Sequence, residues 1–262
     1  MRRTTMTAAL AAVLAAAPAL AADDFHWQGR LAQGRTLEIK GVSGAIVAEG
    51  TSAGVAEVTA QKRAKKSDPT QVKIEVVEHA GGVTICAVYP GRGGAANACA
   101  PGEGGHMSTR DNDVQVEFRV KVPASVRFVG RTVNGGITAT GIQADAELVT
   151  VNGGVLVESA GTARAHTVNG GITARLGRAD WTGTLKLNTV NGAVDVTLPA
   201  GANAEVEART VNGGIETDFP LAVTGRDGGQ RRLHGTIGSG GRQLEIDTVN
   251  GAIALRRAGA KS

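Results

Sequence analysis

A repeated pattern of apolar and polar positions runs through the second half of the chain. The tetrapeptide Thr-Val-Asn-Gly occurs six times, and its asparagines are Asn134, Asn152, Asn169, Asn191, Asn212 and Asn250. In every copy the third residue after the asparagine is isoleucine or valine, and the sixth residue before it is apolar. Because apolar positions before the tetrapeptide recur at every second residue, one face of each strand points inward. The pattern therefore predicts short β-strands joined by a recurring corner at each asparagine.

The spacing of the copies favours one all-β architecture over another. The intervals between successive asparagines are 18, 17, 22, 21 and 38 residues. A series of β-hairpins would normally alternate two different turns, whereas here every unit has the same corner. We therefore predict a β-solenoid or β-helix, in which identical corners stack about 4.8 Å apart. The longest interval is nearly twice the mean of the others, so it predicts one degenerate turn or an inserted hairpin within 218–240.

Each position of the tetrapeptide has a predicted structural role. Asn-Gly tolerates positive φ, which would make a tight corner without steric cost. Stacked asparagine side chains are expected to form a ladder of hydrogen bonds, and stacked threonine and valine are expected to fill the interior. We interpret the six asparagines as structural corners and not as a ligand-binding ladder, because chemistry usually needs one special position.

The first half of the chain varies the same theme. Val42–Ile46 resembles a worn copy of the repeat, with Ser43 in the place of the asparagine. Apolar and polar residues alternate over 114–122, which predicts a half-buried strand that ends at Pro123. We predict an atypical β-rich N-terminal part over 22–127 and the solenoid repeats over 128–257. The first part would cap the stack and protect an open sheet edge.

The N-terminus has the features of an export signal. Arg2 and Arg3 precede an apolar segment over 6–20, and a cleavage site of the A-x-A type follows at 19–21. We predict a signal peptide over 1–21. A membrane anchor is the alternative, but the apolar segment is short for a span. No later apolar run reaches spanning length, so we expect a mature chain without a membrane span, in the periplasm or on the cell surface.

Two cysteines, Cys86 and Cys99, are present. In an exported protein such a pair predicts a disulfide. The closed loop would contribute about 3 kcal/mol through the lost chain entropy. Residues 91–105 are mostly glycine and alanine and can bury little surface, so this segment needs a crosslink. A metal or redox site is the alternative, but there is no CxxC motif, and His106 and Met107 are only loose neighbours.

Composition and charge argue against several functions. The chain has seven aromatic residues and 38 glycines, which argues against a sugar-binding cleft or an RNA platform built on stacked aromatic rings. Removal of the two leader arginines reduces 28 basic residues to 26 against 24 acidic ones. The remaining basic residues are scattered, apart from a cluster at 62–66 that is typical of a hairpin tip. We therefore expect no nucleic-acid partner.

The search for catalytic and metal-binding residues yields only weak candidates. Carboxylates two residues apart share a strand face, and the pairs are Asp145/Glu147, Glu205/Glu207, Glu216/Asp218 and Glu245/Asp247. General acid–base catalysis needs two carboxyl groups with divided pKa values, and no pair lies among aromatic or concentrated basic residues. Asp111 and Asp113 offer oxygen ligands for calcium without an EF-hand frame. We predict no catalytic residue, no cofactor and no metal site.

A family resemblance adds to these expectations. The run VTICAVYP at 83–90, the later Cys99, the strand VQVEFRVKVP at 114–123 and the TVNGGI units resemble DUF4097-type proteins. These are exported bacterial β-repeat proteins described as adhesin-like. The resemblance implies a β-solenoid fold, an envelope location and no transferable catalytic residue. It favours a non-enzymatic protein that binds an unknown envelope or surface ligand, for which a protein is one candidate. The alternatives are a periplasmic accessory in envelope stress or regulation, and a polysaccharide-active β-helix enzyme.

Overall fold

The computed structural model describes residues 25–91, 97–104, 109, 111–179, 181, 183–221, 223–227 and 230–259. The predictions for the signal peptide at 1–21 and for His106 and Met107 lie outside the described residues. No helix in the described ranges is long and apolar enough to cross a membrane.

Within those ranges the chain forms 21 strands and one short 3-10 turn at Pro69–Gln71, which confirms the all-β prediction. The strands are β1 (Phe25–Gly29), β2 (Thr36–Lys40), β3 (Ile46–Thr51), β4 (Ala56–Arg63), β5 (Lys73–His79), β6 (Gly82–Val88), β7 (Gln115–Pro123), β8 (Arg127–Arg131), β9 (Ile137–Ile142), β10 (Ala146–Val149), β11 (Val155–Ser159), β12 (Ala163–His166), β13 (Ile172–Leu176), β14 (Thr184–Asn188), β15 (Val194–Leu198), β16 (Ala204–Asn212), β17 (Ile215–Thr217), β18 (Val223–Asp227), β19 (Gln230–Ile237), β20 (Gln243–Asn250) and β21 (Ile253–Arg257).

The strands form two long mixed sheets with the core between them. Sheet A has the order β1-β4-β7-β3-β9-β11-β13-β15-β21-β17, and sheet B has the order β18-β19-β16-β20-β14-β12-β10-β8-β2-β6-β5. A rung consists of one strand from each sheet, and successive rungs pair in parallel. Four rungs stack in chain order, namely β8–β9, β10–β11, β12–β13 and β14–β15. Their inward side chains alternate with outward polar ones, as the apolar pattern predicts.

The C-terminal end does not follow chain order. The rung β20–β21 lies between β14–β15 and β16–β17, because β20 pairs with both β14 and β16. After β17 the chain forms the hairpin β18–β19, and β19 covers the edge of β16 in antiparallel register. The chain then returns as β20–β21, which pairs with the rungs on both of its sides. This return explains the long interval of 38 residues, and an inserted hairpin lies in it as predicted.

The N-terminal end has a related arrangement. The rung β2–β3, whose corner contains Ser43, lies between β8–β9 and β6–β7. Ser43 pairs with Asn134 as a parallel bridge, so it continues the line of asparagines. Antiparallel strands β5, β4 and β1 then extend the two sheets. Each sheet thus contains strands from both sides of the predicted boundary at residue 127. The division into a cap over 22–127 and repeats over 128–257 stays a prediction.

The glycine of each corner has a different role from the predicted one. Neither the six asparagines nor the glycines that follow them have a positive φ. The corners instead stack so closely that a side chain cannot fit. A Cβ on Gly170 would lie 2.2 Å from the carbonyl oxygen of Gly153, and one on Gly213 would lie 1.9 Å from that of Gly251. Glycine is therefore required by the close approach of successive rungs.

Threonine and valine in the tetrapeptide face opposite ways. All six threonines are buried, as predicted. Their hydroxyl groups donate to a glycine carbonyl in the neighbouring rung, for example Thr150 Oγ1 to Gly135 at 2.8 Å. The prediction that valine fills the interior is wrong, because Val133, Val151 and Val249 are more than one-third exposed. Alternation along the chain forces this result, since a buried threonine leaves the next residue on the outside.

Candidate binding surface

The six asparagines form a continuous ladder along one edge of the stack. Each ladder bond joins the side-chain amide nitrogen of one asparagine to the amide oxygen of its neighbour. The donor–acceptor pairs are Asn152–Asn134, Asn169–Asn152, Asn191–Asn169, Asn250–Asn191 and Asn212–Asn250, at 2.7–2.8 Å. The side chains are exposed, and each of the four inner asparagines uses one donor and one acceptor in the ladder, whereas the two end asparagines form one ladder bond each. The outward valines lie beside them. We call this line of asparagine and valine the corner edge.

The outer surface of sheet B carries several ion pairs, in contrast to the asparagine and valine of the corner edge. We call the outward side chains of β8, β10, β12, β14, β20 and β16 the charged face. Glu147 pairs with Arg127 at 2.5 Å and with Arg131 at 2.6 Å, and Lys186 pairs with Glu245 at 2.7 Å. A groove of about 250 Å³ crosses the centre of this face, and Arg164 and His166 are among its lining residues. The face therefore combines paired charges with a shallow concavity.

In each predicted carboxylate pair, at least one member is engaged by a neighbouring group. Asp145 accepts hydrogen bonds from the backbone N–H and the hydroxyl of Thr162, at 3.0 and 2.8 Å. Its partner Glu147 holds the two arginines described above. Asp218 accepts the backbone N–H of Arg257 at 3.1 Å. Asp145, Glu147 and Asp218 thus act in ion pairs and turns on the outer surface of the sheets.

Two of the pairs meet across the C-terminal rungs. Glu207 lies opposite Glu245, and Asp247 lies opposite Arg209, because β16 and β20 are neighbours. Arg209 contacts both Glu207 at 3.2 Å and Asp247 at 3.3 Å. Burial raises the pKa of Asp247, and the nearby Arg209 partly opposes that rise. Sequence spacing could not reveal this juxtaposition, since it depends on the returning C-terminal rung.

A buried polar cluster adjoins the charged face. Glu38 is 4% exposed and accepts hydrogen bonds from Thr84 Oγ1 at 2.9 Å, Gly102 N at 2.8 Å and Arg131 Nε at 3.2 Å. Lys40 Nζ donates to the carbonyl oxygens of two residues in the segment 97–104, at 2.6 and 2.8 Å. Burial lowers the pKa of Lys40, and the charge of Glu38 opposes this effect. Opposite charges on one strand thus hold the glycine-rich segment against sheet B.

The disulfide fixes the same segment covalently. Cys86 and Cys99 are bonded, with Cα atoms 5.6 Å apart, and Cys86 is buried in β6. Sequence reasoning identified these cysteines but missed Glu38 and Lys40. These two residues alternate with the core residues Leu37 and Ile39, so they read as an ordinary solvated strand face. Only the overlying segment makes them buried.

The calcium candidate has another role in the structure. The carboxylate of Asp113 accepts backbone N–H groups from Lys65 at 3.1 Å, Lys66 at 3.0 Å and Ser67 at 2.8 Å. These hydrogen bonds, with that of Ser67 the strongest, lower the pKa of Asp113 to about 2. Within the described ranges, no group of three or more His, Cys, Asp or Glu residues could hold a metal ion. Asp113 thus fastens the basic segment that connects β4 in sheet A to β5 in sheet B. The hairpin tip expected at 62–66 is wrong, because these two strands lie in different sheets and do not pair.

The geometry defines an all-β protein of two sheets, built from stacked rungs with a glycine-dependent corner. The sequence profile of the Toastrack DUF4097 family matches residues 24–256. The chain belongs to this family, which confirms the resemblance seen in the sequence.

Solved structures of two bacterial proteins are similar to this chain. One, from Clostridium sporogenes ATCC 15579, is described as a putative cell adhesion protein. It has 12% identity and a TM-score of 0.43, and the match covers 89% of this chain and 99% of that one. The other, a putative adhesin from Bacteroides fragilis NCTC 9343, has 8% identity and a TM-score of 0.31, with 89% and 96% covered. No curated protein matches the chain.

Proposed function

We propose that the chain is a non-enzymatic, exported envelope protein that presents a rigid, repetitive surface to an envelope or surface partner. The observation that carries the proposal is the continuous stack. The described residues form eight rungs, which at about 4.8 Å per rung give a surface roughly 34 Å long. Stacked rungs fix the spacing of outward side chains, and this property suits a scaffold or an adhesive surface.

We assign the binding role to the charged face. The ladder of the corner edge engages half of the side-chain hydrogen-bonding groups of each inner asparagine and leaves one amide N–H and one oxygen lone pair. The charged face offers both signs of charge and the groove beside Arg164 and His166. Such charges would set the orientation and the specificity of a partner more than its affinity. The similarity to proteins described as adhesins supports the same kind of role.

Location is the first test of the proposal. An epitope tag inserted between Ala53 and Gly54 would lie in the exposed turn after β3, where Gly54 has open space around it. Antibody binding and protease cleavage at this tag are measured on intact cells and on cells with a permeabilised outer membrane. Access on intact cells supports a surface role. Access only after permeabilisation assigns the scaffold to the periplasm. Retention in the cytoplasm contradicts the proposal.

The binding face is tested with two matched variants. Lys186→Glu breaks the ion pair with Glu245 on the charged face, and Arg175→Glu breaks the pair with Glu158 on sheet A. Lys186 and Arg175 are both exposed, so each substitution should cost little stability. We expect Lys186→Glu alone to weaken binding of the purified protein to isolated envelope fractions. Equal loss in both variants would contradict the assignment of the face. Release of soluble sugars from envelope glycan, abolished by Glu245→Gln, would contradict a non-enzymatic role.

A further inference from the structure

A separate concavity lies at the N-terminal end of the stack. The chain crosses here from β1 at the edge of sheet A to β2 in sheet B, and the hairpin β5–β6 forms the opposite wall. We call this concavity, of about 290 Å³, the end pocket; its lining residues include Trp27, Arg30, Arg35, Glu78, His79 and Val83. A volume of this size is at the lower end of small-ligand sites, so it fits one small ring with its substituents.

The indole of Trp27 lines the pocket beside a residue without a side chain. Trp27 is only half-buried, although it packs against the core. Its ring lies across Gly29, where a Cβ would be 2.4 Å from Trp27 Cζ2. The absence of a side chain at Gly29 therefore leaves the space that the indole occupies. An aromatic ring with a free surface in a concavity is a platform for the apolar face of a ligand ring.

Two arginines line the end pocket without an ion-pair partner among the described residues. Arg30 and Arg35 are exposed, and neither forms an ion pair with another described residue. In contrast, Arg127, Arg131 and Arg209 on the charged face are all paired. Guanidinium groups bind carboxylate and phosphate through two parallel hydrogen bonds. Two of them at one concavity indicate an anionic ligand.

The opposite wall supplies oriented polar groups. The ring of His79 accepts the backbone N–H of Gly81 at its Nδ1, at 3.1 Å, and its Nε2 lies 3.2 Å from Thr84 Oγ1. Because Thr84 donates its own proton to Glu38, its oxygen accepts from His79. This chain of hydrogen bonds connects the pocket to the buried polar cluster and fixes the imidazole. Glu78, which is exposed, adds an acceptor for hydroxyl groups.

We propose that the end pocket binds a single sugar unit that carries a carboxylate or a phosphate. Arg30 and Arg35 bind the anionic group, the indole of Trp27 packs on the sugar ring, and Glu78 accepts a hydrogen bond from a ring hydroxyl. This site goes beyond the proposed scaffold role, because it lies at the end of the stack and not on the charged face. The two proposals are therefore tested independently.

Tryptophan fluorescence gives a direct test. The chain has two tryptophans, and Trp181 is buried with its indole N–H bonded to the carbonyl of Gln243 at 2.9 Å. In a Trp181→Phe background the emission reports on Trp27 alone, and calorimetry of the unsubstituted protein repeats each titration. The probes are glucuronate, glucose 6-phosphate and neutral glucose. We expect saturable binding of at least one anionic probe and none of glucose at the same concentrations.

Matched arginine variants decide between the pocket and unspecific charge. Arg30→Gln and Arg35→Gln should each raise the Kd about tenfold, as expected for the loss of a hydrogen bond to a charged group. Arg231→Gln, an exposed arginine at the far end of the stack, should leave the Kd unchanged. Preference for glucuronate or for glucose 6-phosphate supports the proposal and identifies the anion. No saturable binding, equal binding of glucose, or an unchanged Kd in both pocket variants would overturn it.

Discussion

The middle of the stack and its two ends are built by different rules. From β8 to β15 the rungs follow one another in the chain, and each pairs with the units just before and after it. At the two ends the spatial order differs from the chain order. The outermost rungs are β6–β7 and β16–β17, whereas β2–β3 and β20–β21, which come first and last in the chain, each lie one rung further in. Local repeats therefore specify the middle, whereas the ends depend on long-range returns of the chain.

The difference has a physical reason. A parallel stack exposes an unpaired strand edge at each end, and such edges promote aggregation. Here antiparallel strands cover three of the four edges of the outermost rungs, because β19 pairs with β16, β5 pairs with β6 and β4 pairs with β7. At the fourth position β17 is only three residues long. The rungs β2–β3 and β20–β21 pair with these outermost rungs on one side and with the middle of the stack on the other.

Deletion of the last rung should have the largest effect. In a solenoid that stacks in chain order, removal of 243–257 would trim one end. Here it removes an interior rung and separates β16–β17 from β14–β15. We expect the truncated chain to lose the cooperative unfolding transition of its C-terminal half, seen by circular dichroism and limited proteolysis. Removal of the edge strand β1 is the control and should leave the transition in place; an equal response would contradict the comparison.

Substitution of a corner glycine in the middle of the stack should have the second-largest effect on stability. Gly170→Ala places a Cβ 2.2 Å from a backbone oxygen of the neighbouring rung, so the rungs must separate. We expect a loss of about 3 kcal/mol in the free energy of unfolding, measured with denaturant. Gly201→Ala is the matched control, because nothing lies within 4 Å of its added Cβ. Equal stability of the two variants would show that the corners do not constrain each other.

The asparagine ladder should give a smaller difference between middle and end. Asn169 forms ladder bonds with neighbours on both sides, and Asn212 forms a bond on one side only. Asn169→Ala should therefore cost about 1–2 kcal/mol and Asn212→Ala about half of that. Thermal melting of the two variants checks the order. The ladder has no energetic role if neither melting curve moves.

The smallest effect concerns the N-terminal end, where a long connection replaces the corner. Tyr89 is buried and donates to the carbonyl oxygens of Val114 at 2.8 Å and Ser43 at 3.3 Å. Burial raises the pKa of Tyr89 to about 12. An unfolded tyrosine has a pKa near 10, so its contribution to stability is complete below pH 10 and is lost as the pH rises through 12.

Because the chain has a single tyrosine, its ionisation is directly visible by ultraviolet absorbance. We expect a midpoint near pH 12 in the folded protein and near 10 in denaturant. Tyr89→Phe should cost about 1 kcal/mol at neutral pH. A midpoint of 10 in the folded protein would mean that the connection 89–114 leaves the ring open to water.

The sequence predicted the middle of the molecule better than its ends. Strand alternation and the repeated tetrapeptide were enough for the rungs, the buried threonines and the inserted hairpin. They could not predict that Asn250 stacks between Asn191 and Asn212, because identical repeats do not encode their order. The corner glycine was recognised, but its cause is a neighbouring backbone that only the stacked structure shows.

The candidate sites were partly predictable for the same reason. Cys86 and Cys99 are recognised by residue type alone. The buried state of Glu38 and Lys40 depends on a segment some 60 residues away, and the meeting of Glu207 with Glu245 depends on the order of the rungs. The end pocket joins β1 to the hairpin β5–β6, which no local pattern connects.

The most direct test of the chain order is a pair of engineered disulfides. Parallel neighbours in register lie about 4.8 Å apart, within the range of Cα separations that a disulfide spans. Asn191→Cys is combined either with Asn250→Cys or with Asn212→Cys, and peptide mass mapping without reduction identifies the bond. The rung order of the structure predicts a 191–250 crosslink in the first protein and no 191–212 crosslink in the second. A 191–212 crosslink without a 191–250 crosslink would show that the rungs stack in chain order and would contradict it.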